Sequence, residues 1–225
     1  MAKKKQTVED QNLENVQEAL NTTSVWIEKN QNKLTWAVTI VVALVVGALA
    51  LNTYVIKPKA VEVNDENAKA VAYFMQGDWE KALNGDDAEC IGFQTIADEY
   101  KCFQSGKLAA LYAGVCYYQM GQFEDAVEYL DKFSADDLTI EPAALQLMGD
   151  AYVQMEDFAK AVKAFEGAAE SGNELIAPMS LKKAGLVYLE LGDKAAAKKA
   201  FETIKTDYPA STEAQNIEAY IAIAD

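Results

Sequence analysis

The chain carries few groups able to do covalent chemistry. It has no histidine in 225 residues, which excludes imidazole acid–base catalysis and histidine-ligated zinc. Its three cysteines are Cys90, Cys102 and Cys116, and none falls in a CxxC pair. Cys90 and Cys102 could close a short disulfide loop in an oxidising compartment. The alternative is that all three are buried or half-buried thiols. The densest acidic group, Asp86-Asp87 with Glu89, lacks the ligand alternation of a calcium loop and reads as a solvated turn. No nucleophile elbow, phosphate-binding loop, HExxH helix or dinucleotide fingerprint is present. The expectation is a protein that is not an enzyme and that holds no cofactor and no metal.

Charge narrows the partners. All 20 basic residues are lysines, and residues 60–225 hold 13 of them against 30 acids, a net −17. Such a surface repels phosphate backbones and anionic headgroups alike, so nucleic acid is excluded as a partner.

The elements that carry the remaining information repeat. Gly114-Val-Cys-Tyr117, Gly149-Asp-Ala-Tyr152 and Gly185-Leu-Val-Tyr188 are spaced by 35 and 36 residues. Behind them follow Gly121, Phe123 and Ala126, then Phe158, Ala161 and Phe165, then Gly192, Ala197, Phe201 and Pro209. A small residue, an aromatic three later, a turn, then alanine and a second aromatic resembles the tetratricopeptide repeat. The small residue lets two antiparallel helices approach, and the aromatics fill the space beside the contact. The resemblance implies an all-α fold, a solenoid of antiparallel helix pairs, with repeats at about 107–140, 142–175 and 178–211. Pro142 and Pro178 are expected at the first position of a helix.

In such a solenoid the first helix of each repeat lines a groove. Its positions are Leu108, Leu111, Val115, Tyr118 and Gln119, then Ala143, Gln146, Asp150, Val153 and Gln154, then Met179, Lys182, Leu186, Leu189 and Glu190. The carboxylate-clamp form of the repeat needs Asn and Lys or Arg at several of these, and Lys182 alone fits. The groove therefore suits an extended or helical segment bound by side-chain packing, unless the chain covers it itself. Tyr117, Tyr152 and Tyr188 read as core.

Six segments follow in order. Residues 1–33 form an N-terminal tail, with Leu13, Val16 and Leu20 on one face and Asn21-Thr22-Thr23-Ser24 as a candidate cap for a second short helix. From Leu34 to Ile56 no residue is charged, long enough for one transmembrane helix with Trp36 and Tyr54 near its ends. Five lysines precede it, against Lys57 and Lys59 before Glu62, which favours the N-terminus inside and an uncleaved anchor. Pro58 is expected to end the helix, with a linker at 57–66. Residues 67–106 form an irregular first repeat or cap, with Tyr73, Gly77, Trp79 and Ala82 in register and a helix returning at Ile91–Tyr100. Residues 107–211 hold the three repeats. Residues 212–225 form a capping helix that turns Ile217, Tyr220 and Ile221 onto the stack.

Glu28-Lys-Asn-Gln-Asn-Lys33, Ala82-Leu-Asn-Gly85, Ile96-Ala-Asp-Glu-Tyr100 and Leu111-Tyr-Ala-Gly-Val-Cys-Tyr117 resemble the membrane-anchored tetratricopeptide proteins of Bacteroidetes. The layout is similar to the YfgM-like ancillary subunit of the SecYEG translocon. That resemblance implies a single-pass protein of the bacterial inner membrane, with a cytoplasmic N-terminus and periplasmic repeats that bind other proteins: translocon subunits, chaperones or translocating chains. The second reading is a self-associating structural protein, a homo-oligomer with a self-filled groove.

Overall fold

The structure, a computed structural model, describes residues 8–86, 90–135 and 137–225, with side chains from Val25 onward. Two compact units divide at Lys59 and Ala60. The described residues contain helices and no strand.

The first unit is helical throughout its described length. Helix α1 spans Val8–Leu51, passes into a π-helical turn at Asn52–Ile56, and α2 follows at Lys57–Met75. Two expectations are corrected here. Residues 8–33 are not a loose tail, and Asn21-Thr22-Thr23-Ser24 begin no second helix, because α1 runs through them. No Gly or Pro occurs between Val8 and Val46, and polar residues cost only tenths of a kcal/mol each in a helix already nucleated. The side chains of Leu13, Val16 and Leu20 lie outside the described residues, as do residues 1–7.

Pro58 does not end the helix, and 57–66 is helical, with the boundary between the two units inside it. A proline ring clashes with the carbonyl four residues earlier and lacks an N–H to donate. Here the helix widens just before it: the Lys57 N–H donates to the Asn52 carbonyl, one residue further back than in an α-helix, and this accommodates the ring. One helix among the described residues is long and apolar enough to cross a membrane. Its apolar side chains are exposed, Leu44 at 68% and Trp36 at 69%.

In the second unit α2 buries Val63, Asn67 and Ala70, spaced along one helical face. Phe74 extends that face. Its ring meets Trp79 and Tyr112 edge-on at 5.1 and 5.0 Å, and Tyr112 stacks on Phe93 at 4.9 Å. The Asn67 amide donates to the Ser105 carbonyl at 2.7 Å, and the Ser105 hydroxyl donates to Asn64. Helices α3 (Trp79–Asn84) and α4 (Gly92–Glu99) follow. Between them Asp86 and Cys90 exchange two backbone hydrogen bonds at 2.8 and 3.0 Å. Phe93, Ile96 and Ala97 are buried, as their helical spacing predicts.

Three helix pairs then repeat: α5 (Gln104–Gln119) with α6 (Phe123–Lys132), α7 (Ile140–Gln154) with α8 (Phe158–Ala169), and α9 (Ile176–Glu190) with α10 (Lys194–Asp207). Pro142 and Pro178 sit in the first turn of α7 and α9, two residues inside their starts rather than at the first position. The first-turn N–H groups have no helical acceptor, so nothing is lost. The turn inside each pair places one residue in the left-handed region: Gly121, Glu156 and Gly192, at φ 75°, 59° and 76°. Glu156 holds this conformation at a cost of about 1 kcal/mol. Asp157 and Asp193 then cap α8 and α10. A 3-10 turn at Glu213–Asn216 leads to α11 (Ile217–Ile223). The Ser211 hydroxyl accepts the Ala214 N–H at 3.2 Å, and Ile217 is buried.

The pairs close on three glycines. A Cβ on Gly149 would stand 2.5 Å from Phe165 Cε1; on Gly114, 2.7 Å from Leu130 Cγ; on Gly185 it would overlap Phe201 more severely. All three facing side chains are buried. Replacing Gly149 or Gly185 with alanine is therefore expected to cost about 1–3 kcal/mol. Urea unfolding of the detergent-solubilised protein, followed by circular dichroism, measures this. Combining Gly185→Ala with Phe201→Leu should recover part of the loss.

Candidate partner-binding groove

Besides Leu108, Ala143 and Met179, which are equivalent to one another, the expected groove positions fall in four rows of equivalent sites along α5, α7 and α9. Leu111, Gln146 and Lys182 form one row; Val115, Asp150 and Leu186 the next; Tyr118, Val153 and Leu189 a third; Gln119, Gln154 and Glu190 the last. The last row is exposed, the row of Tyr118 is half-buried, and Leu186 is 40% exposed.

The repeats treat these rows differently. On α5 the positions other than Gln119 are apolar or aromatic: Leu111 leans on the Leu130, Phe133 and Met148 cluster, and the Tyr118 ring packs edge-on against Phe123 at 5.5 Å. Burial pushes the Tyr118 phenol up, with the Asp150 carboxylate adding to the shift. On α7 the polar positions are already engaged. Asp150 accepts both carboxylate hydrogen bonds from Lys183, at 2.8 and 2.6 Å, and Gln146 donates to the Ser180 hydroxyl at 3.0 Å. On α9, Leu189 packs onto the cluster that contains Ile217, and Lys182 stands 4.8 Å from the Tyr220 ring. The C-terminal segment thus lies against one expected α9 position, Lys182. Leu186, Gln119, Gln154 and Glu190 remain exposed and Val115 half-buried, with Val153 resting on the Phe165 cluster.

Lys183 and Ser180 are the residues that sequence reasoning missed. The visible signal was a second lysine beside Lys182 and an acid, Asp150, on the preceding first helix. Lys183 also stands 5.7 Å from the Phe165 ring, so one cation joins α7, α8 and α9.

Cys90, Cys102 and Cys116 are free thiols, with Cys102 exposed and the others buried. Asp87 and Glu89 of the acidic loop lie outside the described residues. Among the described residues no cluster of His, Cys, Asp or Glu could hold a metal ion.

The family profile described as "T7SS, ESX-1 secretion system protein EccA1, N-terminal domain" matches residues 10–220. The chain belongs to the EccA1 N-terminal domain family. Two solved structures show that this member shares its fold with known repeat proteins. MamA of AMB-1 is 17% identical, covering 73% of this chain and 81% of its own, with a TM-score of 0.52. The Podosopora anserina kinesin light chain with nearly identical TPR-like repeats is also 17% identical, over 73% and 85%, with a TM-score of 0.51. At this identity the likeness is one of fold. No curated protein matches the EccA1-family chain in sequence.

Packing in the repeats also sets their alkaline limit. Burial pushes the Cys116 thiol from its ordinary 9.0 up to about 12. The Tyr129 and Tyr188 phenols rise from 10.0 to about 12, through burial first and then through their bonds to Asp98 and Glu166. In each case the folded state holds the proton more tightly than the unfolded one. The stabilisation is complete below pH 9 and is lost as pH climbs towards 12. A urea midpoint that is flat from pH 7 to about 9 and falls above it is expected, with a shallower fall in Cys116→Ala.

Proposed function

We propose that the chain is a non-enzymatic scaffold, tethered to the bacterial inner membrane by residues 34–56. Its first-helix face binds segments of other proteins on the periplasmic side during translocation or envelope assembly. The observation that carries this reading is the accessible run Val115, Gln119, Gln154, Leu186 and Glu190 on three successive first helices. Apolar and amide groups alternating along such a face suit an extended or helical peptide. Three further points support it. The family takes its name from a secretion-system component. One helix is long and apolar enough to span a bilayer and buries none of its apolar window. The layout resembles the YfgM-like subunit, which implies translocon subunits, chaperones or emerging chains as partners. A tether beside an export channel raises the local concentration of those chains, so weak contacts suffice.

The Tyr220 ring of α11, which lies 4.8 Å from the Lys182 ammonium, favours a second reading, in which the face is self-covered and the protein self-associates.

Site-specific photo-crosslinking in cells separates the two. A crosslinker at Val115 or Leu186 in the full-length protein is expected to capture a translocon subunit, a chaperone or an exported chain. One at Glu124, on a second helix, should not. Capture is expected to fall about tenfold when Gln154 and Glu190 are both changed to lysine. Crosslinks only to further copies of the same protein would establish self-association instead.

A further inference from the structure

The last two repeats carry a second, chemically different cleft. A cavity of about 510 Å³ lies between α8, α9 and α10, with Ala169, Leu181, Tyr188 and Ala200 as apolar walls and Glu166 and Glu170 at one side. Beyond Tyr208, which lines both, a second cavity of about 470 Å³ carries Glu174 and Asp207. Each is of the size that holds a small ligand or a few peptide side chains.

Two independent features give this cleft a negative potential. The first is the carboxylates: Glu166, Glu170, Glu174 and Asp207 line it, and Lys199 is the one cation among the lining residues. The Glu166 carboxylate accepts the Tyr188 hydroxyl at 2.6 Å. The second is backbone. Helix α10 ends at the smaller cavity, with its last residue, Asp207, in the lining. Helix C-termini carry partial negative charge and favour cations. Leu175, next in the chain to Glu174, is 69% exposed.

We propose that this cleft docks a basic, amphipathic segment of a partner protein, with lysine or arginine side chains towards Glu170, Glu174 and Asp207 and apolar side chains against Leu181 and Tyr208. A protein segment is the occupant because carboxylates and apolar walls share the same cavities, so cationic and apolar groups must arrive on one strand of chain. Anionic lipid headgroups are repelled by the same charges. This site is separate from the first-helix face and does not depend on it.

The test uses the full-length protein in nanodiscs of zwitterionic lipid and a short fluorescent peptide that alternates lysine with leucine, read by fluorescence anisotropy. Saturable binding is expected, with no binding of the glutamate counterpart. The double variant Glu170→Lys/Glu174→Lys, at two exposed positions, should weaken binding by at least about tenfold. Lys199→Glu should tighten it, and Glu124→Lys on α6 should leave it within about twofold. Equal loss in Glu124→Lys and in the double variant would reduce the effect to the protein's net charge and overturn the proposal. No saturable binding by the wild-type protein would overturn it as well. Neither result bears on crosslinking from Val115 or Leu186, so the two sites stand or fall separately.

Discussion

The repeat domain depends on a missing side chain. At Gly149 and Gly185 the aromatic ring of the partner helix occupies the volume where a methyl group would sit, and at Gly114 the Leu130 side chain does the same. Ala126, Ala161 and Ala197, fully buried at a fixed distance along the chain from those glycines, keep the second helix close. Glycine inside a helix costs about 1 kcal/mol relative to alanine. Burying a phenylalanine side chain stabilises by about 1.5–3 kcal/mol, so the exchange favours the folded pair. The contact also fixes the register of each pair, because a ring that fits over a glycine meets a larger side chain at any shifted position.

With one side of each first helix committed to this contact, the remaining face is used differently repeat by repeat. The first repeat keeps it mostly apolar, with Gln119 the polar exception. The second and third are joined by Asp150 with Lys183 and Gln146 with Ser180. In the third, the Tyr220 ring of α11 lies beside Lys182. The polar joints do more for order than for stability. Asp150 and Lys183 are about a third exposed, where an ion pair contributes at most about 1 kcal/mol. Their geometry, however, is satisfied only between these two repeats.

The repeats were legible because glycine, alanine and aromatic residues recur at fixed spacing, and each is required by the same contact. The helix returning at Phe93–Ala97 was legible for a related reason, its apolar spacing. Helix ends were less so. Asn21–Ser24 and Pro58 are local signals worth little against the propagation of a helix that flanks them, and no residue type announces the wider turn at Asn52–Ile56. The groove was legible as a set of positions but not in its occupancy. Periodicity compares equivalent residues, whereas Asp150 bonds to Lys183, which is not its equivalent. Likewise the apolar face of α11 shows that it packs, without showing that its Tyr220 ring comes to lie beside Lys182.

The charge balance ties these surfaces together. Residues 60–225 hold few lysines, and several are spent internally: Lys183 on Asp150, Lys132 between Asp98 and Glu128, Lys182 on the Tyr220 ring. The carboxylates left over repel one another, and that repulsion works against the compact state. A cationic partner that binds the folded chain removes part of the repulsion and adds its own binding free energy to stability by mass action. Salt screens only the exposed charges over a Debye length of about 10 Å at 0.1 M, and leaves the glycine–aromatic contacts untouched. The two surfaces therefore differ in what they present: mixed apolar and polar side chains along the first helices, and carboxylates around the cleft between α8, α9 and α10.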